Sequence, residues 1–168
     1  MNSYSYRDLI LWKETKKLTR DIYAIAYKLP HYELYALSSQ IRRAVVSIGS
    51  NIAEGAGRGT TRDYIHFLYN AKGSAFEVEA QLYLSIELGF VSEKDAGEAL
   101  LQEKRVAWML YRLIQALETK YKKAGSTYKE DMDIYGDKGI KELEIACDSD
   151  LAMIEAVSYT HLTLPTKA

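Results

Sequence analysis

Between Leu37 and Ile52 the residues Leu37, Ile41, Ala44, Val45, Ile48 and Ile52 follow one another along a three- and four-residue ladder. That is the spacing that keeps one side of a helix against a partner. The pattern recurs along the chain. Leu11, Thr15, Leu18, Ile22, Ile25 and Leu29 step by 4, 3, 4, 3 and 4, and Tyr64, Leu68, Ala71, Ala75, Val78 and Leu82 repeat the same steps. Val106, Leu110, Leu113 and Leu117 carry a fourth ladder. Seams this narrow are buried by setting helices side by side. The expected fold is therefore all-α, an antiparallel up-down-up-down four-helix bundle over residues 1–123, followed by an extra C-terminal tail.

Breakers and caps mark the boundaries. The first helix is expected from about Asp8 to Lys28, with Ser5 or Asp8 near its start and Pro30 ending it, because the residue before a proline disfavours helix. His31 to Tyr35 makes a turn, and the second helix runs from Leu37 to Glu54 or Gly55 with Ser38 or Ser39 as its cap. The glycines at 55, 57 and 59 stop it. The GAGRGTT segment follows a helix instead of a strand and lacks a Gly-Lys-Ser/Thr ending, so it reads as a sharp turn and not a phosphate loop. Thr60 or Thr61 then caps a third helix from Thr61 or Arg62 to Leu88, ended by Gly89. Gly73, inside that helix, is unfavourable by itself and implies close approach of a neighbouring helix. Ser92 with Asp95 opens the fourth helix, which ends in Lys120, Lys122 and Lys123 before Gly125.

A chain of 168 residues, 48% of them hydrophobic, suits one domain with a real core. It has no apolar run of about 18 residues, so no membrane span is expected, and nothing near the N-terminus resembles a signal peptide. The lone Cys147 agrees with a reducing compartment, and the expected address is cytoplasmic. Residues 1–123 hold 18 Lys and Arg against 14 Asp and Glu, which is +4; residues 124–168 hold 4 against 9, which is -5; the two sum to the overall -1. Residues 124–156 read as an acidic linker followed by a short helix through Leu143, Ala146, Leu151 and Ile154. Residues 157–168, with VSYTHLTLPT at 157–166, resemble a translated transposon-end adapter from sequencing-library preparation and are set aside as non-native.

Catalysis is not indicated. The body offers only His31 and His66, Glu77 and Glu79 point apart at i, i+2, and no Glu-x-x-His pattern is present for a di-metal bundle. No catalytic residue, metal or cofactor is expected. Arg42 and Arg43 lie about 100° apart around a helix, so at most one borders the apolar seam, within reach of Glu54, Glu77 or Glu79. Two readings follow. In one, Arg43, Asn51 and Glu54, with Gln40 beside them, form a polar network that fixes helix register or a subunit interface. In the other, Arg42, Arg43, Arg58, Arg62 and Lys72 rim the glycine turn and hold nucleic-acid phosphate. Lys13, Lys16, Lys17 and Arg20 fall mostly opposite their own seam and read as a solvated face, with a phosphate-facing stripe as the other option. Fourteen tyrosines, many in the body, suit wet interfaces or base-stacking surfaces.

The stretch SSQIRRAVVSIGSNIAEGAGR, followed by Tyr64, Phe67, Leu68 and Ala71 to Ser74, resembles the four-helix-bundle proteins encoded in intervening sequences of bacterial 23S rRNA genes. Tyr6, Arg7, Asp8, Leu9 and Trp12 resemble that family's first helix, and the likeness spans about Tyr6 to Lys122. This chain has Gly49 where the family usually has proline. The resemblance implies a ring-like homo-oligomer, a pentamer, related to the accessory bundle protein that assists reverse transcriptases of diversity-generating retroelements. The expected function is non-enzymatic binding of nucleic acid, structured RNA first, through phosphates and with low sequence specificity. The alternative is a scaffold or accessory subunit of a reverse transcriptase that makes no nucleic-acid contact of its own.

Overall fold

The protein is described here by a computed structural model covering residues 5–123. The acidic linker and helix expected over 124–156 and the adapter-like end at 157–168 lie outside the described residues. A short 3-10 turn, Tyr6–Asp8, precedes helix α1 (Ile10–Lys28), and a second, His31–Glu33, leads to α2 (Leu37–Ala56). Helices α3 (Thr61–Glu87) and α4 (Glu93–Lys123) complete the described chain. α2 packs against α1 and α3, and α4 against α3 and α1, which closes the up-down-up-down ring.

The ladders do become the seam. Leu18, Ile22, Ile41, Val45, Ile48, Ile52, Leu68, Ala75, Val78, Leu82, Val106 and Leu110 are all fully out of water. Removing their apolar surface from water, worth about 25 cal/mol per Å², holds four helices whose individual propensities are ordinary. The ends follow local chemistry. Ser5 and Asp8 form a capping box around the first 3-10 turn, so α1 itself begins at Ile10 and not at Asp8. The Thr60 side chain accepts from the Asp63 N–H at 3.1 Å, and Ser92 Oγ accepts from the Asp95 N–H at 3.1 Å. Gly89 takes φ +69°, the left-handed conformation that ends α3 at no steric cost.

Three local expectations are corrected. Neither Ser38 nor Ser39 caps α2: its N-cap is Ala36, and the half-buried first N–H, that of Leu37, is taken by Glu33 Oε2 at 3.1 Å. Ser38 is buried and donates across to the Ala26 carbonyl of α1 at 3.2 Å. Gly55 does not stop α2, which continues through it to Ala56. The close helix approach assigned to Gly73 belongs instead to Gly55. Gly73 is exposed, and a Cβ added there would meet nothing within 4 Å, whereas a Cβ at Gly55 would sit 2.7 Å from Phe67 Cβ and 2.8 Å from Tyr64 Cδ2. Gly55 therefore lets α2 and α3 converge just before their turn.

These two glycines should respond oppositely to the same change. Gly73→Ala is expected to stabilise by up to about 1 kcal/mol from helix propensity alone. Gly55→Ala is expected to destabilise by roughly 1–3 kcal/mol through overpacking. Urea-unfolding midpoints of the two variants check both signs.

Candidate nucleic-acid interface

The five cations chosen from sequence do not form one patch. Arg42 is half-buried and turned along its own helix, where Nε donates to the Ser38 carbonyl at 2.9 Å and an Nη to the Leu34 carbonyl at 3.4 Å. Arg43 is exposed on the outer face of α2. Arg58 pairs with Glu54 one turn back and lies over the Phe67 ring at 4.7 Å. Arg62 is exposed in the first turn of α3. Lys72 sits on the α3–α4 side, its ammonium 5.7 Å from the Phe76 ring centre and 5.4 Å from that of Tyr111. Only Arg58 and Arg62 border the glycine turn.

The polar network is likewise dispersed. Asn51 Nδ2 donates to the Ser47 carbonyl at 2.8 Å and to Ser47 Oγ at 3.1 Å, and Ser47 Oγ shares a 2.9 Å bond with Ser74 Oγ of α3. Glu54 is committed to Arg58. Gln40 is exposed, and it lines the same shallow hollow as Arg43 and Glu77. The α2–α3 tie is therefore made by two serines and an asparagine, without Arg43, Gln40 or Glu54.

A different cation set does converge. Lys13, Lys16, Lys17 and Arg20 of α1 line a groove of about 840 Å³ between α1 and α2. Its α2 wall is Val45, Val46, Gly49, Ser50 and Ala53, and Trp12 lies at one end. It meets, over Val46 and Ser50, a second hollow of about 680 Å³ that holds Tyr23, Arg42, Arg43 and the single carboxylate Glu77. Lys17 is spent on the buried Glu14, at 2.7 Å. Lys13, Lys16, Arg20 and Arg43 are exposed and make no hydrogen bond or ion pair among the described residues, although Arg20 is near enough to Asp21 to favour the charged form of that carboxyl. The sequence carried the signal: Lys13, Lys16 and Arg20 step by 3 and 4, so they form a stripe. What it lacked was the direction in which α2 lies.

Charge divides the same way. Residues 5–60 hold nine Lys and Arg against five Asp and Glu, +4, while residues 61–123 hold nine against nine. The whole surplus of the body belongs to the half that contains the groove.

Two buried carboxylates were missed. Glu14 is 5% exposed. It is held by Lys17, by Gln102 Nε2 at 2.9 Å and by Arg105 Nε at 3.4 Å, the last two from α4. Burial pushes its carboxyl up, but the bonds from Lys17 and Gln102 and the nearby cations outweigh it, so the net shift is downward. Glu103 has no such company. It is 1% exposed, its Oε1 has no hydrogen-bond partner among the described residues, and burial with the Glu79 charge pushes it up to about 8, with Lys104 pulling slightly the other way.

Among the described residues no group of three or more His, Cys, Asp or Glu could hold a metal ion, and no helix is long and apolar enough to cross a membrane. His66 is exposed, edge-on to Phe67. The fold and the groove together define a four-helix bundle with a cationic trough on one flank. The family model described as 23S rRNA-intervening sequence protein matches residues 7–112, and the chain belongs to that family. A solved structure from Bacteroides thetaiotaomicron, described as a protein with unknown function from the S23 ribosomal protein family, has a TM-score of 0.59 at 23% identity. The match covers 62% of this chain and 98% of that one, and shows the shared fold. No curated protein matches the chain.

Glu103 gives a pH prediction with a definite sign. Its folded value, about 8, lies above the ordinary 4.5, so between the two the folded state keeps a proton that the unfolded chain releases. Stability from this group is therefore greatest below about pH 4.5 and falls as pH rises towards 8, by on the order of 1.4 kcal/mol per unit of difference at most. Glu103→Gln should remove that slope. Chemical unfolding at pH 5, 6.5 and 8 checks it, and matching profiles for variant and parent would exclude the assignment.

Proposed function

We propose that the protein is a non-enzymatic bundle that assembles with copies of itself and holds nucleic acid, RNA first, by its phosphates. The observation that supports this most is the α1–α2 trough with the hollow it meets: Lys13, Lys16 and Arg20 line the first, Arg43 the second, none of the four in an ion pair among the described residues, and the two linings together hold one carboxylate, Glu77, with Asp21 beside Arg20. Unneutralised cations in a row, over low-dielectric walls, concentrate positive potential and attract a polyanion. Contacts to phosphate position a nucleic acid and carry little sequence information, so low specificity follows. The matched family's name, with its link to 23S rRNA genes, agrees with RNA as the polyanion. Of the cations named from sequence, Arg42 and Arg43 line the second hollow, Arg42 with its guanidinium on the Ser38 and Leu34 carbonyls, and Arg62 remains accessible at one end of the bundle.

Assembly uses the opposite flank. On α3 the exposed rings of Tyr69, Phe76 and Tyr83 recur every seven residues, and Tyr111 of α4 stands beside Lys72 between them. That half carries no net charge, so copies meet there without the repulsion that the +4 half imposes. Five copies would multiply the trough's field. The alternative, an adaptor for a protein partner such as a reverse transcriptase, would use these same rings and leave the trough empty.

Fluorescence anisotropy of labelled RNA with the full chain over a salt series tests the binding. Log K should fall linearly with log[salt], and Lys16→Ala with Arg20→Ala should flatten the slope by roughly 0.7 to 0.9 per cation removed. Absence of binding at low salt rejects the proposal. Light scattering tests the assembly: the parent is expected at several times 19.1 kDa, close to fivefold, and Phe76→Glu with Tyr83→Glu at one-fold. A monomeric parent would reject it.

A further inference from the structure

We infer that the α1–α2 trough is built for unpaired nucleic acid, a single strand or looped-out bases, in preference to duplex. The inference rests on the phosphate-binding reading above and adds the substrate class. A trough meant only for phosphate needs cations and hydroxyls. This one also has apolar lining, with Trp12, Val46 and Ala53 reaching its surface among the cations and Val45 buried behind them. Duplex hides the faces of its bases in its own stack and presents phosphate and sugar, which gain nothing from such a lining. An unpaired base has a bare ring face, and single-strand sites combine a positive channel with an aromatic platform for that face.

The width agrees. Helices packed side by side have axes about 8–10 Å apart, a furrow on the scale of a flat ring or a single backbone and narrower than a double helix. Its 840 Å³ lies within the roughly 300–1,000 Å³ of small-molecule sites, room for a few nucleotides.

Gly49 gives the second observation. It lies in the middle of α2, where glycine is unfavourable by about 1 kcal/mol relative to alanine. A Cβ there would come within 3.2 Å of Trp12 Cζ3 and 3.6 Å of Cη2. The bare backbone at 49 is thus the seat against which the indole lies, and the Tyr6 ring packs on it near-perpendicular, with ring centres 4.9 Å apart and planes at 88°. The platform is fixed before any ligand arrives, so little ordering is required on binding. The exposed Ser50 adds a hydroxyl for base edges or sugar, while Thr19 Oγ1, which donates to the Thr15 carbonyl at 2.8 Å, can only accept.

The test compares three probes with the unsubstituted full chain at one salt concentration: a 12-nucleotide oligouridine, a 12-base-pair RNA duplex, and polyphosphate, which has charge without bases. The expected order is oligouridine tightest, about tenfold or more over duplex, since stacking on one aromatic is worth that much. Trp108→Phe leaves Trp12 as the sole indole, and its emission should be quenched by oligouridine but not by polyphosphate. Gly49→Ala, which crowds the indole, should weaken oligouridine while leaving polyphosphate unchanged. Duplex binding as tightly as oligouridine, or oligouridine binding with Trp12 emission unchanged, would overturn this inference and leave the phosphate reading standing. Failure of all three probes overturns both, as does an oligoglutamate peptide that quenches Trp12 when no oligonucleotide does. The affinity order needs no variant, so it decides even if a substitution impairs folding.

Discussion

The inner edge of α2 is the constraint on which the rest depends. Ile41, Val45, Ile48 and Ile52 are wholly buried, and α2 is the helix that both α1 and α3 pack against along the seam. At about 100° per residue, fixing those four positions also fixes what faces out: Arg43, Val46 and Ser50 are turned from the core because their neighbours are turned into it. The trough is the furrow left where two cylinders touch, lined by whatever the sequence places beside the seam. Apart from Lys17, which is bonded to Glu14, its cations are thus held in position by core packing, without hydrogen bonds or ion pairs among the described residues.

Close approach at each end of α2 sharpens that geometry. Near its start, the Ser38 hydroxyl reaches the Ala26 carbonyl of α1. Near its end, Gly55 lets Tyr64 and Phe67 of α3 come against bare backbone. Between them Gly49 receives Trp12. Three small residues, at 38, 49 and 55, thus set how near α2 lies to α1 on one side and to α3 on the other. A glycine's meaning depends on its neighbour: the exposed Gly73 has none within 4 Å, which is why its position in the chain alone misled.

The bundle was legible in the sequence because burial follows period, and period survives without coordinates. Every position of the α1 and α3 ladders is buried. The same logic, carried further back along α4, would also have found Glu103. Ala96, Ala99, Glu103, Val106, Leu110, Leu113 and Leu117 step by 3 and 4 throughout and are all buried, so a carboxylate stands in a core register where an apolar residue was the natural assumption. Glu14 was harder to see, since its partners Gln102 and Arg105 lie some 88 and 91 residues away and nothing local announces them. The site was less legible than the fold for the same reason. Adjacent positions such as Arg42 and Arg43 diverge on a helix, and the hollows themselves are walled by residues of different helices, Lys16 with Ser50 in one and Tyr23 with Arg43 in the other.

What leaves the trough cationic is the fate of the acids in its half of the molecule. Of the five in residues 5–60, Asp8 closes the capping box at Ser5, and Glu33 accepts the first N–H of α2. Glu14 is drawn inward to Lys17, Gln102 and Arg105, and Glu54 is matched by Arg58. Only Asp21 stands near the stripe, half-buried on the side where Glu98 of α4 adds to its burial in pushing the carboxyl up and Arg20 partly offsets them. A solvated face with no further role would be expected to alternate its charges, since i, i+4 pairs of opposite sign favour a helix and like pairs oppose it. On α1, Lys17 is matched by Glu14 and Arg20 partly by Asp21, which leaves Lys13 and Lys16 as a like-charged i, i+3 pair with no ion pair among the described residues. Lys17 is called for by the buried Glu14, whereas the Lys13–Lys16 repulsion is relieved by no carboxylate bonded to either, and the anion proposed for the trough would offset it.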